Sequence, residues 1–175
     1  MSTRHHIETS QPTRRATFVM MAAVTAPSLV PNAAHAAETC SDTAENAAFA
    51  VLDRYVAIVN SRAPERLSEV CAENYIQHSG RSASGIAAQI ENYRQIFARW
   101  PDRVMHVDDR IFGDGKLVAR NTFTATHTRP VLGIAPTGRK VSYRAIDIWR
   151  VADGKLAEHW DIVDLAELEK QLRGS

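Results

Sequence analysis

Several things are scarce or missing in this 175-residue chain, and each absence narrows what it does. Cysteine is nearly absent: Cys40 and Cys71 are the only two, enough for one disulfide or two thiols, and their spacing does not choose between these. No sign of charge dominates, since 21 Lys and Arg stand against 20 Asp and Glu. Such a balance argues against nucleic acid or an anionic membrane as partner. His78, His127 and His159 stand far apart, and none belongs to an H-x-H or H-x-x-x-H pair, so no metal site is expected. The longest apolar run, Phe18 to Val30, is short and broken by Pro27, which excludes a stable membrane-spanning helix. There is no internal repeat, no low-complexity tract and no sign of a second folded domain.

The apolar run instead reads as part of an export leader over residues 1–36. Arg14 and Arg15 precede it, and Ala34-His35-Ala36 offers a small-x-small cleavage site. Thr13-Arg14-Arg15 resembles a twin-arginine signal with Phe18 one residue late, so general secretion stays open beside it. Export to the periplasm is the expectation, with residues 37–175 as the mature domain. Cleavage removes Arg4, Arg14, Arg15 and Glu8, leaving 18 basic and 19 acidic residues from the 21 and 20 of the full chain, a net of −1.

The stretch from Val141 to Asp164 organises that domain. Two runs rich in β-branched and aromatic residues flank Asp153-Gly154, a strong hairpin signal. In the first run Val141, Tyr143, Ala145, Asp147, Trp149 and Val151 alternate, so they share one strand face. That face is apolar except for Asp147, and a carboxylate among aromatics is costly unless it is paired or used. A two-residue loop would set Asp147 opposite Trp160, and a three-residue loop would set it opposite His159. One residue of slip exchanges the faces, so the sequence leaves open which of the two looks inward.

The remaining elements follow from periodicity. Phe49, Leu52, Tyr55, Val56 and Val59 mark a helix from Ala44 to Asn60, and Pro64 opens a short second one. Tyr75 to Gly80 is extended and ends in a turn. Ile86, Ile90, Tyr93, Phe97 and Trp100 make a helical stripe over Ser84–Trp100, closed by Pro101. The period then becomes two: a strand at Val104–Phe112, a turn at Gly113-Asp114-Gly115, and a strand at Leu117–Thr128 whose odd face includes Asn121, Phe123, Ala125 and His127. After a long loop and the central hairpin, Asp164 caps a last helix with Leu165, Leu168 and Leu172. Helices followed by hairpins imply an α+β fold, a curved antiparallel sheet with the N-terminal helices on its concave face, enclosing a pocket.

From about Ala44 to Leu172 this order resembles the nuclear-transport-factor-2-like cone fold. The segments T-A-T-H-T (Thr124–Thr128), A-P-T-G-R-K-V (Ala135–Val141), D-I-W-R (Asp147–Arg150), D-G-K-L-A-E-H-W-D-I-V-D (Asp153–Asp164) and Y-I-Q-H (Tyr75–His78) are similar to the SnoaL-like polyketide cyclases and ester cyclases. The resemblance implies cofactor-free ring closure with an aspartate as acid/base. Asp147 would carry that role, and His127 would be a pocket histidine donating to the developing enolate. It further implies His78 and Trp160 as pocket neighbours. The residues themselves offer Phe123, Tyr143 and Trp149 as the rings that hold a substrate, with His159 taking the place of Trp160 in the other hairpin register. The expected ligand is a small apolar or aromatic carbonyl compound, and the expected assembly a homodimer. A non-catalytic periplasmic protein binding a small apolar ligand on the same face is the alternative.

Overall fold

A computed structural model describes residues 33–174, and side chains from Asp42 onward. The chain divides into two units, Met1–Asn32 and Ala33–Ser175, of which the first lies outside the described residues. The leader expected over residues 1–36 therefore falls almost wholly outside them, as does the side chain of Cys40. Cys71 is buried and its thiol is free.

The elements are α1 (Ala33–Asn60), a 3₁₀ turn (Pro64–Glu69), β1 (Cys71–Gln77), α2 (Ile86–Arg99), β2 (Val104–Gly113), β3 (Lys116–Thr126), β4 (Lys140–Ala152), β5 (Lys155–Val163) and α3 (Leu165–Arg173). The helix expected from Ala44 begins earlier, at Ala33. The strands form one sheet in the order β1-β5-β4-β3-β2. Its four C-terminal strands are antiparallel; tight turns join β2 to β3 and β4 to β5, and a long loop joins β3 to β4. The sheet is mixed rather than all antiparallel, because β1 docks parallel to β5.

Period-two patterning holds where it is strongest. On β3, Leu117, Ala119, Asn121, Phe123 and Ala125 are buried; on β4, Val141, Tyr143, Ala145, Asp147 and Trp149 are buried. Those residues face the helices. Tyr55 of α1 sets its ring edge against Trp149 of β4 at 5.5 Å and against Tyr93 of α2 at 6.1 Å, which ties both helices to the sheet. Trp149, Leu117, Leu52 and Leu156 have no solvent exposure. Each contributes about 1.5–3 kcal/mol by leaving water.

The central hairpin shows how one backbone detail sets the site. Asp153 and Gly154 both have positive φ, 50° and 69°, forming a two-residue turn of the kind that right-twisted strands favour. Near this turn Ala152 pairs with Lys155 and Val151 with Leu156. The register then shifts, so that Arg150 pairs with Glu158, Trp149 with His159 and Asp147 with Asp161. One extra residue on β5 makes this bulge, and it turns His159 inward and Trp160 outward. Neither simple loop length produces that pairing.

Candidate active site

Asp147 sits in mid-strand on the helix-facing side, with its side chain 9% exposed. Both its oxygens accept hydrogen bonds. Asn121 Nδ2, across on β3, donates to Oδ2 at 2.6 Å, and His159 Nε2, across on β5, bonds Oδ1 at 2.8 Å. The far nitrogen of His159 lies 2.9 Å from Gln77 Nε2 on β1. The Ser79 amide donates to Gln77 Oε1 at 3.0 Å, which fixes the carboxamide so that its NH₂ points at the imidazole. Nδ1 of His159 therefore accepts, and Nε2 carries the proton donated to Asp147. Trp149 supports the imidazole from one side, its ring stacked at 5.0 Å and 8° from coplanar. Three strands thus supply a directed chain from Gln77 through His159 to Asp147, with Asn121 closing the other side.

This chain opens on a cavity of about 240 Å³ between the sheet and α2. Asp147, His159, Phe123, Ala145 and Val163 line its sheet side, and Gln89, Tyr93, Ile96 and Arg99 its α2 side. Tyr55 and Tyr93 reach it as a hydroxyl pair 2.5 Å apart. Burial pushes the Tyr93 phenol up to about 12, with Asp147 adding in the same direction, and burial raises Tyr55 as well. Both stay protonated at neutral pH. Within such a pair one hydroxyl donates to the other, leaving one proton for a ligand. Arg103 also lines the cavity; it lies over the Phe123 ring at 3.8 Å, and its Nε donates to Tyr143 Oη at 3.0 Å. Arg81 ion-pairs with Asp161 at the rim.

Of the expected site residues, Asp147, His159 and Phe123 meet in the cavity. Trp149 and Tyr143 stand just behind it, under His159 and Arg103. Three of the candidate residues lie outside the cavity. His127 is fully buried elsewhere, beside Thr137 at 3.0 Å and Trp100 at 5.9 Å. Ala119 is the β3 partner of Asp147, and His127 is eight residues further on, roughly 26 Å at ~3.3 Å per residue. Trp160 faces away because of the bulge on β5. His78 is one residue past Gln77, on the opposite side of β1; it stacks on Trp160 at 4.3 Å and bonds Glu158 at 2.9 Å. The expected apolar lining is corrected as well, since arginines, aspartates and amides share the cavity with the aromatic rings. Gln77, Tyr55, Tyr93 and Arg103 were not foreseen as site residues. Asn121 had a signal: it is the polar residue of β3 in phase with Asp147 on β4.

With this geometry in view, residues 49–172 match the model of the SnoaL-like polyketide cyclase family, and the chain belongs to that family. Among solved structures it resembles TsrD from Streptomyces laurentii, with 30% identity, a TM-score of 0.67, and coverage of 73% of this chain and 95% of that one. It also resembles AclR from Streptomyces galilaeus, with 25% identity, a TM-score of 0.63 and coverage of 72% and 95%. A SnoaL-like polyketide cyclase from Agrobacterium tumefaciens, at 21% identity, a TM-score of 0.63 and coverage of 70% and 94%, shares the fold. No curated protein matches the sequence significantly.

Proposed function

We propose that the protein is a cyclase-type enzyme that uses Asp147 as general base and then general acid on a small carbonyl substrate. One observation carries this reading: a buried carboxylate opens on a cavity while neighbours on both adjacent strands hold it in one orientation. A base positioned in this way removes a proton from the carbon beside a carbonyl. The unpaired proton of the Tyr55–Tyr93 pair donates to the enolate oxygen as charge develops there, the role first expected of His127. The enolate carbon attacks a second carbonyl of the same molecule, forming the ring bond. The proton held by Asp147 passes to the new alkoxide, so the enzyme ends as it began, and the step draws on no cofactor. His159 and Asn121 are positioning residues, as both hold the carboxylate.

Asp147→Asn keeps the shape and removes the base. Turnover of a diketone substrate should fall by about 10²–10⁴-fold, the usual worth of general acid–base catalysis, with ligand affinity kept. Wild-type binding with no turnover across a panel of small dicarbonyl compounds would instead mark a binding protein. The reading also includes export and a homodimer. If residues 1–36 are removed on export, N-terminal sequencing of protein from its native host finds Ala37 first. A retained Met1 refutes this.

A further inference from the structure

We propose that the substrate carries a carboxylate, and that Arg103 is the residue that binds it. This deepens the acid/base reading and rests on it. The residue itself is 9% exposed and lines the cavity. Among the described residues no carboxylate forms an ion pair with it. Its Nε is used by Tyr143, and its guanidinium plane by the Phe123 ring. Nη1 is buried with no hydrogen-bond partner. A cation removed from water without a counter-ion is costly, and cation–π contact with one ring offsets only part of that cost. The missing partner is therefore an anion that arrives with the ligand. A guanidinium held by Nε and a ring face is already oriented and offers its remaining N–H groups to a carboxylate.

The other charges of the cavity permit this. Three arginines, Arg81, Arg99 and Arg103, face two aspartates, Asp147 and Asp161. Asp161 is paired with Arg81, and Asp147 is held by His159 and Asn121. Arg103 lies over Phe123, and Asn121 on Asp147 is two residues along the same face of β3, roughly 7 Å at ~3.3–3.4 Å per residue. A carboxylate on Arg103 thus places a carbon a few bonds away against the Asp147 oxygens. The substrate class is a small keto acid with its acidic C–H set apart from its carboxylate, rather than a neutral apolar ring system.

The test is isothermal titration calorimetry on the full chain with benzoate, 3-phenylpropanoate and 2-naphthoate, each beside its methyl ester. At least one acid should bind tenfold or more tightly than its ester. Arg103→Gln should abolish that difference, Arg103→Lys should keep part of it, and Asp147→Asn should keep all of it. The proposal is overturned if no acid binds, if every ester matches its acid, or if a folded Arg103→Gln loses acid and ester alike. Should Arg103→Gln fail to fold, the wild-type preference and the Arg103→Lys value decide. The two readings separate: if Asp147 is not the base, the acid preference survives, and if Arg103 is not the anchor, the loss of turnover in Asp147→Asn survives.

Discussion

Tyr93 is a group whose proton the fold holds tightly. Burial raises it to about 12 from an ordinary value near 10. A folded value above the unfolded one means that the native state binds the proton more strongly. The resulting stability is complete below about pH 10 and is lost as pH rises from there toward 12. Urea unfolding at pH 9 and pH 11 should show a steep loss for the wild type and a smaller one for Tyr93→Phe. Equal losses would mean that Tyr93 is not held neutral by the fold. The same residue shows what a sequence can yield at this scale. Its helical spacing identified Tyr93 as a core residue, which it is, but gave no hint that its hydroxyl meets Tyr55 at a cavity. Asp147 was legible because a carboxylate in an apolar alternation is conspicuous. His127 had the correct strand parity, yet parity fixes a face and not a position along it. Arg103 follows Pro101-Asp102 in a connection without periodicity, so nothing local showed that it folds inward.

Elements were legible where two periodicities met clear punctuation, as at Asp153-Gly154 and at Pro101. The bulge on β5 was not, because an extra strand residue changes no composition and no local pattern. It is nevertheless what brings His159 rather than Trp160 to Asp147. The parallel docking of β1 was hidden for a different reason: it depends on packing between segments far apart in sequence, Gln77 beside His159. The last helix was readable from its cap. Asp164 accepts from the Glu167 amide at 3.0 Å, and the helix buries Leu168 and Leu172. Among the described residues no strand continues beside β4 beyond Val163, and the Gln171 side chain takes its place, accepting from the Ser142 amide and donating to its carbonyl, both at 2.8 Å. Removing the cap therefore loosens an edge of the sheet as well as a helix. Asp164→Ala should cost about 1 kcal/mol, lowering the melting temperature by roughly 2–4 °C for a chain of this size. An unchanged melting curve would show that packing by Leu168 and Leu172 alone fixes the helix.

For the whole molecule, the outer face of the sheet raises the question of assembly. The helices cover the other face, and among the described residues no helix is long and apolar enough to cross a membrane. Ile162 is 77% exposed, Ile111 64% and Ile146 41%. Ile146 and Ile162 are cross-strand partners, and the next row, in register across four strands, is Ile111, Val118, Ile148 and Trp160. Single exposed apolar residues are ordinary, but two adjoining rows on one sheet face are a contiguous patch of the kind that marks an interface. Arg120 pairs with Ile146 in register and also reaches Asp108, so charge borders the apolar rows. An apolar centre with a charged border is the usual anatomy of a contact surface. A second copy of the chain fits such a patch through a two-fold axis, in which the same rows meet each other. In the proposed dimer this outer face, which includes the threonine-bearing side of β3, would be the contact, and the cavity on the opposite face would stay open to ligand. Ile162→Asp places a charge on both sides of that axis at once. Light scattering after size exclusion should give the mass of one chain for this variant and of two for the wild type, with the proposed Asp147-dependent turnover unchanged between them. A wild-type protein that runs as one chain, or a variant that remains paired, would place the contact elsewhere or remove it.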